Sequence, residues 1–306
     1  MLSGLTAYDA SFLEGVNELQ DNIAQVNQQI TSGVRVNQAS DDPAAIASIL
    51  GDQQQIDSIT QVQANLETAK TITTAQDQAL QTAAQLLDQV TTIAAEGASS
   101  TASAATRQSL GLQVQSLEQQ MVDVANTSVN GQYVFGGDQS GTQPYTFNWA
   151  SPEGVIANST QTNTSQLLDA NGSAITAGMT ASQIFDAQSA GSPAPGNVFN
   201  ALYSLSQALQ TNNVAGIQAA ASTLVPAAVT QIQQATTTLG DTETWIQNAS
   251  SAASQQLLDI QSALSSVRDT DITQAAVQLT ADQTAMSAAL SAHSSMNVKS
   301  LFSYMG

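Results

Sequence analysis

Two aspartates near the carboxyl end, Asp269 and Asp271, have the side-chain type that acid–base catalysis requires. Side chains two residues apart on a helix do not face each other, so two helical aspartates at this spacing cannot act together on one substrate. With Arg268 directly before them, the spacing instead predicts a helix break held by a bond to the arginine.

The sequence offers few residues that could bind a metal or a cofactor. His293 is the single histidine and cysteine is absent, so one subunit cannot build a histidine or thiolate metal site. His293 also falls on an apolar stripe, where packing is the simpler role. Since no phosphate-binding, zinc, nucleophile or dinucleotide motif occurs, we expect no cofactor and no enzyme.

Aromatic residues between positions 133 and 149 alternate with small or polar ones, as strand residues do. Such a row can form a platform for a sugar, but a small β-rich segment also needs aromatic side chains for its own core. We favour the core interpretation for this set, which comprises Tyr133, Phe135, Tyr145, Phe147 and Trp149.

Arg35 lies where an apolar repeat is interrupted, shortly after Gly33 and before two acidic residues. We predict that Arg35 forms an ion pair within the chain, with Asp41 or Asp42. The alternative, that it also contacts a neighbouring subunit, remains open. Ser40 or Asp41 is the predicted cap of the next helix, whose first turn takes Pro43.

The composition excludes several partners. The 306 residues include 5 basic and 24 acidic ones, a formal charge of −19 that repels nucleic acids and anionic membranes. Only 9% of residues are charged, so the surface is largely neutral and favours self-association. No apolar run reaches the roughly 20 residues of a membrane span, and we expect no membrane insertion. The amino end has no basic region and carries Asp9, so we expect no cleaved signal peptide.

The elements that must carry these residues are helices with a coiled-coil repeat. Apolar residues recur with heptad spacing over positions 5–30, and a seam this narrow needs a partner helix. The carboxyl end supplies a similar run beyond Asp271 as that partner. The seams comprise Leu5, Phe12, Leu19, Ile23, Val26 and Ile30 at one end, and Ile272, Leu279, Met286 and Leu290 at the other.

Between the seams, two long helices are predicted over about 43–95 and 105–128, joined by a soft Ser/Ala-rich segment. Proline, glycine and Thr/Asn/Ser then become frequent, which predicts a small β-rich insertion. Helical periodicity returns after Gly196 and continues to Arg268.

Two motifs at opposite ends of the chain resemble the bacterial flagellin family. ITSGVRVNQASDDPAAIA, from Ile30, is similar to the flagellin amino-terminal signature, and VRDTDITQAAVQLTADQTAMSAALSAHSSMNVKSLF, from Val267, is similar to its carboxyl terminus. Within that family, NGQYVFGG from Asn130, VFNAL from Val198 and the ending LFSY from Leu301 resemble the flagellin-like hook-associated proteins more than filament flagellins.

The resemblance implies a mainly α fold: a long antiparallel helical coiled-coil rod formed by the N- and C-terminal segments, with a small β-rich insertion in the middle. We expect a terminal segment of 1–40 with 270–306, a helical rod domain of 41–136 with 196–269, and an inserted domain of 137–195.

The implied function is that of a structural subunit that joins the flagellar hook to the filament. Expected partners are copies of itself in a ring or helical array, another hook-associated protein, flagellin, and an export chaperone at the C-terminal region. The protein would be secreted to the flagellum by type III export. The expected assembly residues are both seams together with Arg35, Asp41, Asp42, Leu301 and Phe302.

Two alternatives remain at this point. The chain could be a filament flagellin, or a secreted adhesin or glycan-binding protein in which residues 137–195 carry the activity.

Overall fold

The computed structural model describes residues 2–159, 161, 166–176, 178–189 and 191–302; side chains of 2–9, 175 and 296–302 lie outside the description. This part is mainly α-helical with small antiparallel strand pairs in the middle, as predicted. Its helices are α1 (Leu2–Ser32), α2 (Pro43–Ala98), α3 (Ala104–Ala125), α4 (Ala181–Ile184), α5 (Val198–Gln210), α6 (Val214–Ala219), α7 (Val225–Arg268) and α8 (Ile272–Phe302).

The strands form four separate two-stranded antiparallel hairpins between α3 and α5. In the first, Asn130 and Gly131 have φ of 53° and 79°, the conformation of a tight type I′ hairpin turn. The pairs are β1 (Ser128–Val129) with β2 (Gln132–Tyr133), β3 (Tyr145–Phe147) with β4 (Val155–Ala157), β5 (Gln166–Leu168) with β6 (Ala174–Thr176), and β7 (Gln188–Ser189) with β8 (Ser192–Pro193).

The chain divides into two compact units. One combines Met1–Ser58 with Leu257–Gly306, and the other is Ile59–Gln256. The division predicted from the sequence into three parts, with boundaries near 40, 137, 195 and 270, stays a prediction.

The main core belongs to the second unit, where α3 packs along α5. Leu117 and Met121 of α3 are buried, as are Phe199 and Leu202 of α5. Periodic apolar positions three and four apart place these side chains on the facing sides of the two helices.

Apolar side chains from 137–195 join this same core rather than forming one of their own. Tyr145 of this segment and Phe135 just before it are buried, and Tyr145 contacts Phe199 edge to face at 4.9 Å. The core interpretation therefore holds for these two aromatic residues. The other three members of the aromatic set, Tyr133, Phe147 and Trp149, are half-buried.

The buried Arg107 side chain binds carbonyl groups at the C-terminal end of α2. The Arg107 guanidinium donates at 2.9 Å to the carbonyl oxygens of Gly97 and Ser99 and to Oδ1 of Asn212. Carbonyl groups in the last turn of a helix have no partner within the helix, and a guanidinium has enough donors for several of them. Arg107 therefore fixes the α2–α3 connection to the loop after α5.

Candidate assembly surface

The two chain ends form an antiparallel helix pair. The Phe12 ring stacks on the His293 ring, with centroids 4.0 Å apart and planes within 8°. At the opposite end of the pair, Val34 forms a backbone bridge with Asp269. The amino-terminal seam thus has α8 as its partner helix, as its narrow apolar stripe requires.

Burial follows the predicted seam on α1. Its side chains are half-buried at heptad spacing, while most residues between them are exposed; the half-buried set includes Phe12, Leu19, Ile23, Val26 and Ile30. A two-helix pair covers only part of each seam residue, so half-burial is what this geometry gives.

On α8 the predicted register is wrong at two positions. Ile272 and Leu290 are each 51% exposed and lie outside the seam. The buried positions of α8 instead recur at alternating intervals of four and three residues. Leu290 lies one residue after such a position, which rotates its side chain by about 100° away from the buried side. The line of buried positions runs through Ala275, Leu279, Asp282, Met286, Ala289 and His293.

Asp282 occupies a buried seam position that the sequence reasoning missed. It is 7% exposed; its Oδ1 accepts a hydrogen bond from Gln278 Nε2 at 2.9 Å, whereas its buried Oδ2 has no partner in the described structure. Its spacing, three residues after Leu279 and four before Met286, is the signal that could have identified it.

Arg35 ties the loop after α1 to the end of α7. Its Nη1 binds Asp42 Oδ2 at 2.9 Å, and its Nη2 donates to the Val267 carbonyl oxygen at 2.7 Å. Its backbone N–H donates to the Arg268 carbonyl at 2.7 Å. The predicted intrachain ion pair is therefore present with Asp42, and a contact with a neighbouring subunit stays a prediction.

The two acidic residues beside Arg35 have different tasks. Asp42, and neither Ser40 nor Asp41, caps α2, because its Oδ1 accepts the Ala45 N–H at 3.2 Å. The hydrogen bond from Arg35 is the main cause that lowers the pKa of Asp42. Asp41 Oδ2 instead accepts the backbone N–H groups of residues 37 and 38 at 2.9 and 2.8 Å, which closes the loop.

The second helix break has the predicted structure. Arg268 Nε lies 3.0 Å from Asp269 Oδ1, and Ser265 Oγ donates to Asp269 Oδ2 at 2.6 Å. The Ser265 bond, followed by Arg268, lowers the pKa of Asp269. Asp271 caps α8 by accepting the Thr273 N–H at 2.9 Å. The two carboxylates thus serve different helices and do not form an acid–base pair.

Large exposed apolar side chains concentrate in the unit formed by the chain ends. Of ten such side chains among the described residues, six belong to this unit. Single exposed apolar residues are ordinary, whereas larger exposed apolar patches are typical of surfaces that contact another protein. The six are Leu13, Leu50, Leu258, Ile272, Val277 and Leu290.

Three predicted assembly residues, Leu5, Leu301 and Phe302, lie outside the residues whose side chains are described. Within the described part, no helix is long and apolar enough to cross a membrane, and no three His, Cys, Asp or Glu side chains come together as metal ligands.

Comparison with known proteins gives matches at both ends. The sequence matches the bacterial flagellin N-terminal helical region over residues 7–140 and the bacterial flagellin C-terminal helical region over residues 222–305. No protein with a curated function matches it.

Three solved structures share the fold. A Vibrio parahaemolyticus protein assigned as flagellar hook-associated is 20% identical, with a TM-score of 0.64, and the match covers 75% of this chain and 100% of that one. Flagellar hook associated protein-3 from Legionella pneumophila is 16% identical, with a TM-score of 0.61 and coverage of 72% and 98%. FlgL from Xanthomonas campestris is 18% identical, with a TM-score of 0.59 and coverage of 70% and 99%.

Proposed function

Since the chain belongs to the bacterial flagellin family, a family of structural proteins of the flagellum, we propose that it joins the hook to the filament by packing its terminal helices against those of neighbouring subunits. The observation that carries this proposal is the group of exposed apolar side chains on the unit formed by the two chain ends. In a monomer these side chains would remain in water, whereas a neighbouring subunit would bury them.

The junction role is preferred over that of a filament subunit for two reasons. The solved structures described above are of hook-associated proteins and are covered almost over their whole length. The motifs at Asn130, Val198 and Leu301 also resemble those of hook-associated proteins. The partners we propose are further copies in a ring or helical array, another hook-associated protein, flagellin and an export chaperone at the C-terminal region. Type III export without a cleaved signal peptide belongs to the same proposal.

Leu290 provides the sharpest test of the proposed packing. It is 51% exposed on α8, so Leu290→Asp should leave the melting temperature of the monomer unchanged. In the assembled state the same carboxylate would be buried without a partner, which is strongly unfavourable. We expect a strain that produces only Leu290→Asp to form hooks without filaments in electron micrographs, like a strain that lacks the gene.

Two matched controls separate assembly from folding. Leu112 on α3 is 57% exposed in the other unit, and Leu112→Asp should support normal filaments. Leu80 is 1% exposed, and Leu80→Asp should lower the free energy of unfolding of the monomer by about 4 kcal/mol or more.

Each rival function predicts a different result. If deletion leaves filaments that another flagellin builds, the chain is a filament subunit. If deletion preserves filaments and motility but abolishes attachment to surfaces, the chain is an adhesin. Equal assembly defects in Leu290→Asp and Leu112→Asp would contradict the proposed role of the terminal helices.

A further inference from the structure

A cavity of about 600 Å³ lies within the unit 59–256, where α2 faces the β1–β2 hairpin and strand β5. Sites for small molecules generally have volumes of about 300–1,000 Å³, so the space suffices for a compact ligand. None of the residues that line it belongs to the assembly surface described above. The junction role therefore leaves the cavity unexplained.

The lining mixes polar and apolar side chains and is uncharged. Among the described lining residues there is no Asp, Glu, Lys, Arg or His, although the whole chain carries a charge of −19. Amides and hydroxyls take the place of charges, among them Asn65, Thr71, Gln132 and Ser140. Amide and hydroxyl groups both donate and accept hydrogen bonds. Such a lining therefore suits a neutral ligand with several hydroxyl groups. An ion would lose its hydration here without gaining an opposite charge.

The lining also offers apolar faces. Tyr133 is half-buried at the cavity, and Leu167 and Met179 lie on it as well. The Tyr133 backbone is fixed, because its N–H donates to the Ser140 carbonyl at 2.8 Å and its strand follows a tight hairpin turn. An aromatic ring on a fixed backbone is a suitable surface for the apolar face of a sugar ring.

Gln76 adds a buried acceptor. It is 2% exposed and lines the cavity, and its Nε2 donates to the carbonyl oxygens of Val134 and Met179. These two bonds fix the orientation of the amide, because the reverse orientation would place oxygen against oxygen. Its Oε1 is buried and has no hydrogen-bond partner within the described structure. A buried amide oxygen without a donor is unusual.

We propose that this cavity binds a neutral saccharide of one or two rings. A sugar combines a rim of hydroxyl groups with apolar ring faces, which matches amides and hydroxyls beside Tyr133. The site is independent of the hook–filament role, so its failure would leave that role intact.

The test uses the purified full-length protein with maltose, cellobiose and N,N′-diacetylchitobiose as probes. Saturation-transfer NMR should detect binding of at least one of them. Glucuronic acid, which has the size of a hexose but carries a carboxylate, should not bind because the lining has no basic side chain.

A pair of matched variants locates the binding. Thr71 is exposed on α2 at the cavity, and its hydroxyl donates to a backbone carbonyl one turn earlier at 3.0 Å. Thr92 is exposed on the same helix with an equivalent 3.0 Å bond but does not line the cavity. Thr71→Trp should fill the opening and abolish the saturation-transfer signal, whereas Thr92→Trp should leave it unchanged.

Three results would overturn the proposal. They are absence of binding by all three probes, equal binding by both tryptophan variants, and self-association in sedimentation that only Thr71→Trp abolishes while no sugar binds. The last result would identify a second copy of the chain as the occupant.

Discussion

The stability of this protein should depend on pH through the buried Glu118, and replacing this residue by glutamine should remove that contribution. Glu118 has no exposed surface, and neither carboxyl oxygen has a hydrogen-bond partner in the described structure. Burial raises its pKa from the ordinary value of 4.5 to about 9, so the folded chain holds this proton at neutral pH. The unfolded chain releases it above its ordinary pKa. Because the folded state binds more protons, the free energy of unfolding falls as the pH rises from about 4.5 to about 9.

The size of the effect follows from the two pKa values. Each pH unit within that window changes the free energy of unfolding by about 1.4 kcal/mol, so the wild type should lose about 4 kcal/mol between about pH 5 and pH 8. Glutamine keeps the shape of the protonated acid and cannot ionise. The variant should therefore exceed the wild type by about 1 kcal/mol at about pH 5 and by about 5 kcal/mol at about pH 8.

Urea denaturation at several pH values measures this difference, with tryptophan fluorescence as the signal. Trp149 is a suitable reporter, since its ring lies 4.8 Å from that of Tyr203, which lies close to Gly154 beside the Glu118 carboxyl group. All other groups titrate equally in both proteins, so the difference isolates Glu118. Glu118→Met should give a difference from the wild type that rises with pH in the same way. Parallel pH dependences in wild type and glutamine variant would show that Glu118 is not held protonated by burial.

Two further substitutions test buried charges. Arg107→Lys should lower the free energy of unfolding by about 3 kcal/mol in urea, because a lysine cannot reach three acceptors at once; unchanged stability would show that Arg107 does not close the end of α2. Asp282→Leu should raise the resistance of the α1–α8 pair to protease, by an amount that corresponds to about 1–4 kcal/mol, because it removes a buried carboxylate oxygen without a partner. Faster cleavage in α8 would instead show that Asp282 stabilises the pair.

The sequence predicted the features that depend on local spacing. The α1 seam, the break before Pro43 and the break at Asp269 follow from heptads, glycine and capping residues within a few positions of each other. The cap of α2 was misassigned because three capping residues precede Pro43 in a row, and only the backbone geometry selects Asp42.

Features that depend on distant contacts could not be predicted. Glu118 resembles an exposed helical glutamate in the sequence, although it lies four residues after the buried Val114 and thus beside the apolar stripe. The β3–β4 hairpin covers that side of α3, since a side chain at Gly154 would collide with Glu118. No local pattern contains this information. On α8, alanine is common on every side, so the stripe has two possible registers, and only packing against α1 distinguishes them.

The three arginines show why the subunit contact we propose is apolar. Arg107 binds carbonyl groups at the end of α2, and Arg35 binds the carbonyl of Val267 at the end of α7, where Arg268 is also located. Positive groups are favourable at a helix C-terminus, because carbonyl oxygens there lack partners. The chain has only five basic residues in total and uses its three arginines to terminate long helices. Few cations are then left to pair with the 24 acidic residues of a neighbouring subunit. We therefore expect contacts between copies to rest on neutral and apolar side chains such as Leu290.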